Sequence, residues 1–360
     1  MKPKPYPEIE TKPDLARVME RILAWFAGQI VDRPPIRFSA HNAEYDLVRA
    51  QARRWTGLKD RWFDAEYQVE SYLQSLKGRQ FLAETIPVFW PNLGPEVYSA
   101  FHGSELVYQE VTSYSVPLVQ EREDVQKIRF SRDNAYFRKI EEMTNLALAQ
   151  CRGQCLVGYT DLHPGADCAA AWRDPQELCM DLMTEPELVT ELITLANEHF
   201  QEIFDHFDAR LKAAGQLSVT WMQIPSPGKM HIPSCDFSAL ISPAHFEKFL
   251  LPTIQREVRG MTHNVFHLDG KGVARNLDRL LEIPEIQAIQ WVQGLGTDLP
   301  IMQWVPLIRK IRAAGKAVVV DLQPSELESF ISAMPPEGIF LCIAAREEIQ
   351  PAIIRRVEQW

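Results

Sequence analysis

Apolar residues recur at helical spacing along residues 14–31, where Leu15, Val18, Ile22, Trp25 and Phe26 fall on one stripe; this predicts an amphipathic helix. From Pro35 onward the pattern changes. Short apolar runs rich in β-branched and aromatic residues occupy 35–39, 85–90, 155–160, 217–224, 264–268, 288–292, 317–322 and 339–343, and each reads as a strand. Helical stretches lie between them. Residues 186–214 carry Val189, Leu192, Phe200, Phe204, Phe207 and Leu211 at helical spacing, with Thr184 as the expected N-cap. Ser242-Pro243 opens a helix over 243–259, and shorter helices fit 272–282, 302–314, 324–333 and 346–357. Strands alternating with helices predict a parallel sheet, and eight of them predict a closed (β/α)8 TIM barrel. The alternative, an open doubly wound sheet, lacks its usual glycine-rich loop after the first strand. Residues 91–130 are expected to form an insertion after strand two, and the helix over 14–31 an N-terminal extension. The whole chain, 1–360, reads as a single domain whose proline- and charge-rich first 13 residues are loosely held.

Composition narrows the partners. Lys and Arg number 38 against 48 Asp and Glu, a net charge of −10, so nucleic acid and anionic membrane surfaces are poor partners. No apolar run approaches the roughly 20 residues of a spanning helix, and the N-terminus lacks the apolar core of a secretory signal, so a cytoplasmic location is expected. The six cysteines, at 151, 155, 168, 179, 235 and 342, are too scattered for a disulfide framework and are expected as thiols.

In a barrel of this kind the site lies at the C-terminal ends of the strands. Polar and metal-capable residues concentrate there: His41 and Asn42 after the first strand, Glu84, Trp90 and Asn92 around the second, Asp161 and His163 after Cys155–Thr160, then Trp221 and Gln223. His231, Cys235 and Asp236 follow in a loop, and His267, Asp269, Gln290, Trp291, Asp321 and Cys342 come from the last strands. On an extended segment His267 and Asp269 share a face. Either they form a ligand or acid–base pair, or His267 is a core histidine and Asp269 caps the following helix. Cys235, His267 and Cys342 together make a soft donor set suited to zinc, if the fold gathers them. Each thiol also has a plainer reading, Cys342 as a small buried hydrophobe and Cys235 as an incidental loop thiol. The paired Cys151 and Cys155 fall at the opposite end of the sheet and read as structural.

The segments CDFSALISPAHFEKFLLP and FHLDGKGVARNLDRLLEIPEIQAIQWVQG resemble the uroporphyrinogen decarboxylase superfamily, which includes zinc-dependent methyltransferases acting with corrinoid proteins. The likeness is strongest over 217–345 and implies a (β/α)8 barrel with its site at the mouth. The decarboxylases hold substrate carboxylates with an arginine-rich N-terminal segment. Here the matching stretch, RPPIRFSAHNAEYD at 33–46, keeps Arg33 and Pro35 but lacks the later arginines, which argues against a polycarboxylate substrate. The methyltransferase branch holds zinc with a His-x-Cys pair and a distant Cys. His267 and Cys342 match the first and last positions, and Asp269 stands where the middle cysteine would be.

The resemblance therefore implies a zinc-dependent methyltransferase activating a thiol or similar acceptor for methyl transfer from a methyl-corrinoid supplied by a partner protein. His267 and Cys342 would be ligands, with Cys235 or Asp269 completing the set. Asp269, Asp321 and Glu84 would serve as catalytic or orienting groups. Trp90, Asn92, Asp161, His163, Trp221, Gln223, Gln290 and Trp291 would bind a small-molecule substrate. The alternatives are a metal-free decarboxylase of a less anionic acid and a non-catalytic barrel that binds a tetrapyrrole or corrinoid. The oligomeric state is left open, a homodimer included.

Overall fold

The computed structural model describes residues 6–39 and 55–360; His41 and Asn42 lie outside the described residues. Among the described residues there are ten strands: β1 Ile36–Phe38, β2 Val88–Phe89, β3 Leu106–Tyr108, β4 Ser113–Ser115, β5 Leu156–Val157, β6 Met230–His231, β7 His263–Asp269, β8 Ala288–Val292, β9 Ala317–Leu322 and β10 Ile339–Ile343. Six form a curled, parallel sheet in the order β1-β10-β9-β8-β7-β6. β2 and β5 pair in parallel as a separate two-stranded sheet. Single backbone hydrogen bonds flank the pair: the Glu84 N–H, ahead of β2, donates to the Ile36 carbonyl of β1 (2.8 Å), and the Tyr159 N–H, after β5, donates to the Val219 carbonyl in the segment that precedes β6 (2.9 Å).

The expected closed barrel is thus corrected. The fold is a mixed α/β, TIM-like curl whose ladder does not close among the described residues. The gap falls where a strand was expected over 217–224. Gln223 there takes a left-handed φ of 59°, and Pro225 and Pro227 follow without N–H donors. The chain folds back on itself in one antiparallel bridge, Ser218 with Ser226, and Met230–His231 takes the place beside β7.

Helix boundaries show two further departures. Thr184 ends the helix Pro175–Thr184, its hydroxyl donating back to the Met180 carbonyl, so it does not cap the next one. The stretch 186–214 is two helices, Pro186–Glu198 and Phe200–Ala213, parted at His199. Ser242 does cap its helix by accepting from His245 N, and the chain passes through one π turn, Phe246–Leu250, ahead of Pro252. The insertion over 91–130 holds a short helix, the antiparallel pair β3–β4 and a 3-10 turn.

The N-terminal helix, Leu15–Phe26, plugs one end of the curl. Val18, Ile22 and Trp25 are fully buried in a cluster with Val88, Leu156, Val219 and Val265 of the sheet interior. The Trp25 indole donates to the carbonyl of Gly338, just before β10, which places the plug at the N-terminal ends of the strands. Each such large apolar side chain contributes about 1.5–3 kcal/mol on burial. The expectation of a loosely held start fails from residue 9 on. Ile9 is buried, and Lys12 is sunk to 1% exposure with its ammonium donating to the Phe81 carbonyl (2.8 Å). Among the described residues no helix is long and apolar enough to cross a membrane.

With one end plugged, period-two alternation decides what faces the open end. Val265, Ala288, Val319 and Phe340 line the lower interior. His267 and Asp269, Gln290, Asp321 and Cys342 continue the same faces upward on β7, β8, β9 and β10.

Candidate functional site

A cavity of about 1000 Å³ opens at the C-terminal ends of the strands, lined by Trp90, Asp161, His163, Trp221, Asp236 and His267 among others. At its rim, one atom each of Asp236, His267 and Asp269 lies within 4.8 Å of the others, and this is the one such group of metal-capable side chains among the described residues; Asp236 and His267 line the cavity itself.

Each member is held differently. His267 Nδ1 sits 2.7 Å from Gln290 Oε1 on the neighbouring strand, in register with it. The amide oxygen accepts, so Nδ1 carries a proton and Nε2 is the ring nitrogen left to face a ligand. The Trp221 ring meets the imidazole edge-on, with centroids 5.4 Å apart. Asp269 ends β7 at the cap position of the helix Gly270–Ala274, yet its side chain makes no capping hydrogen bond. The capping alternative is therefore not realised, and the exposed carboxylate stands beside Asp236 and His267. Asp236 begins a 3-10 helix, Asp236–Leu240, and opens onto the cavity between protein walls. Burial pushes its carboxyl up to about 6, with the neighbouring charges of Asp167 and Asp269 adding to the rise and His267 and His163 opposing it.

A second network supports Asp236. The Asp167 carboxylate accepts from the backbone N–H groups of Asp236 (3.1 Å) and Phe237 (2.9 Å) and from the Ser234 hydroxyl (2.9 Å). Ser234 Oγ is also 2.8 Å from His163 Nδ1, and His163 Nε2 is 2.7 Å from Asp161. Ser234, His163 and Asp161 thus have the contacts of a nucleophilic triad, but Asp167 already takes the hydroxyl proton. Ser234 must then accept from Nδ1–H while Asp161 accepts from Nε2–H, which makes His163 an imidazolium. Burial opposes that charge, but Asp161, Asp167 and Asp236 outweigh it and raise the histidine to about 9.

Several expected site residues lie elsewhere. Glu84 precedes β2, at the plugged end, and is fully buried. Its carboxylate takes Arg33 (2.7 Å), Arg21 (3.1 Å) and the backbone N–H of Ile36 (2.7 Å), so nothing remains for catalysis. Arg33 is spent on the same pair and is not available to a substrate. Trp291 points to the outer layer, fully buried against Trp304, as a core residue rather than a substrate contact. Gln290 acts on His267. Cys235 is buried in the main apolar core, burial keeping its thiol well above the ordinary range. Cys342 faces the interior, but β8 and β9 separate its strand from β7. It is packed with Phe340, against Asp321 and Arg37, and burial pushes it up to about 12. Burial likewise raises Asp321, opposed by Arg37. The donor group at His267 therefore contains neither thiol, and two carboxylates stand in their place.

Trp90, Trp221, Asp161 and His163 line the cavity. Asn92 and Gln223 line a second, smaller one that shares the Trp90–Trp221 wall. The sequence places Asp236 and Asp167 near the mouth, but not Asp236 as the partner of His267 and Asp269, nor Ser234 and Asp167 as its support. The signal was present in Ser234-Cys235-Asp236. In an extended segment the neighbours of a buried thiol point the other way, toward the cavity.

No protein-family model and no curated protein sequence matches the chain. Among solved structures, it is similar to a methyltransferase from Methanosarcina mazei, with a TM-score of 0.58 and 12% sequence identity over 91% of this chain and 93% of that chain. At that identity the likeness is one of fold, extending over nearly the full length of both chains.

Proposed function

We propose that this chain is a metal-dependent methyltransferase of the uroporphyrinogen decarboxylase superfamily type, with Asp236, His267 and Asp269 holding a divalent metal, zinc by preference. The observation that carries the proposal is that group of three donors at the open end of a plugged parallel curl. Two carboxylates and a neutral imidazole balance a dication, as two thiolates and an imidazole would, and three protein ligands leave a position open. The Gln290 bond fixes the imidazole tautomer, and Asp167 fixes the backbone that carries Asp236. Bound zinc would hold a thiol or similar acceptor as its anion. The chain's own residues do the rest: the walls around Trp90 and Trp221 exclude water and orient the acceptor, and His163 supplies fixed positive charge beneath Asp236. The methyl group would arrive on a methyl-corrinoid carried by a partner protein. The fold likeness to a methyltransferase supports the reaction class.

The decarboxylase alternative loses support because Arg33, the arginine it would use for substrate carboxylates, is paired with Glu84. Metal analysis of the purified protein tests the proposal. Wild type is expected to carry about one zinc per chain, and His267→Ala to lose it while keeping its fold. A wild type that binds no zinc when supplied with it ends this reading.

A further inference from the structure

Of the three donors, His267 and Asp269 sit on β7, whereas Asp236 comes from a loop, at the start of the 3-10 segment Asp236–Leu240. That segment is fastened at both ends by charged side chains that are not donors themselves. Beside β7, His267 N donates to the Pro233 carbonyl (2.9 Å) and Ser234 bridges His267 in parallel, a register that sets Asp236 level with Asp269. At the N-terminal end stands Asp167, from the first turn of the helix Gly165–Arg173. Its carboxylate takes the N–H groups of Asp236 and Phe237, which a helical start leaves unmet, and the Ser234 hydroxyl besides. At the C-terminal end Arg275, on the segment that follows β7, donates to the carbonyls of Ala239 (2.7 Å) and Ile241 (3.2 Å). Gly272 lets the two segments touch, since a Cβ there would fall 2.6 Å from that of Ala239.

We infer that Asp167 and Arg275 are positioning residues that fix the reach of Asp236 and thereby make the donor group selective for a small, four-coordinate dication. A carboxylate on a free loop follows whatever ion it meets. Zinc takes few ligands, at about 2.0–2.2 Å from carboxylate oxygen. Manganese(II) prefers a larger, octahedral set of oxygens, which a yielding carboxylate and water supply. A donor held by its backbone serves the first ion and not the second. The fastening is specific in its chemistry: Asp167 spends both oxygens on three donors, and an asparagine there would offer one oxygen and turn an NH2 toward an N–H. It is also tied to two different elements, so the loop moves with neither alone. The inference rests on the proposed metal site and adds the residues that enforce its preference.

Competition assays on the full chain with zinc and with manganese(II) test it, beside amide hydrogen exchange in chelator-treated protein. Asp167→Asn is expected to weaken zinc binding about tenfold to a hundredfold and manganese binding by less than about threefold, so the ratio of the two affinities narrows. Arg275→Met, at an exposed position whose loss does not threaten the fold, is expected to narrow it in the same direction. Without metal, the amides of Asp236 and Phe237 are expected to exchange slowly in wild type and about tenfold faster in Asp167→Asn. Zinc and manganese affinities that fall in equal proportion, or that both variants leave unchanged, overturn the inference. Tight zinc binding by wild type and by both variants would remove this inference and leave the metal reading standing. A wild type that takes up no zinc, while its two amides are protected and Asp167→Asn releases them, would end the metal reading and leave the fastening in place.

Discussion

His163 offers a test of the site's electrostatics that needs no substrate. Its ring has both N–H groups committed, to Asp161 and Ser234, and three carboxylates raise it from an ordinary 6.5 to about 9. A group raised on folding stabilises the native state fully below its unfolded value and loses that contribution as pH climbs through the folded one. The window is therefore pH 6.5 to 9. The gap between the two values corresponds to about 3 kcal/mol, and with a side chain only 16% exposed little of it is screened away. Urea unfolding of chelator-treated protein at pH 6, 7.5, 9 and 10 measures it, with His163→Gln as the reference that removes this titration and keeps the others. Wild type is expected to be more stable than the variant at pH 6 and to lose about 3 kcal/mol of that margin by pH 10. A margin independent of pH would refute the imidazolium and reopen the alternative in which Ser234 donates to a neutral His163. Proton resonances of the ring titrating near 6.5 would do the same.

Two further substitutions separate the scaffold from the site. Glu84→Gln strips the charge that two arginines and a backbone N–H share at the plugged end; it is expected to lower stability by about 3 kcal/mol in urea unfolding while leaving zinc content unchanged. Cys342→Ser is expected to leave zinc affinity within about twofold of wild type in a competition assay, since its sulfur lies outside the donor group; a loss comparable to that of His267→Ala would show that the thiol is a ligand after all.

The sequence made the last three strands legible because each is an apolar run buried on both faces, and the observed β8, β9 and β10 have the bounds the runs predict. It also made the interior parity of β7 legible, and with it the placing of His267 and Asp269. It misled where local signals were overridden. An apolar run over 217–224 looks like a strand, but the prolines after it turn the chain back, and the sheet is completed by a two-residue strand no pattern could single out. Glu84 misled for a different reason: a carboxylate four residues before β2 belongs to the plugged end, and only the position of the strand's first residue says so. Parity placed Cys342 in the interior correctly. What parity cannot give is distance around the curl, and two intervening strands decide that the thiol meets Asp321 and Arg37 rather than His267.

The exchange of thiolates for carboxylates has a chemical consequence that follows from the donor set alone. Both sets neutralise a dication, so the electrostatic cost of holding the metal is similar. Carboxylates give less electron density than thiolates and leave the metal more Lewis-acidic. An acceptor at the open position would then be deprotonated more readily and be less nucleophilic once deprotonated, which suits a harder oxygen acceptor better than a thiol. Comparing zinc-loaded protein for its affinity toward a small thiol and a phenol of matched size separates the two cases. A thiol preferred about tenfold or more would mean that the metal, despite its oxygen donors, still behaves as a soft centre.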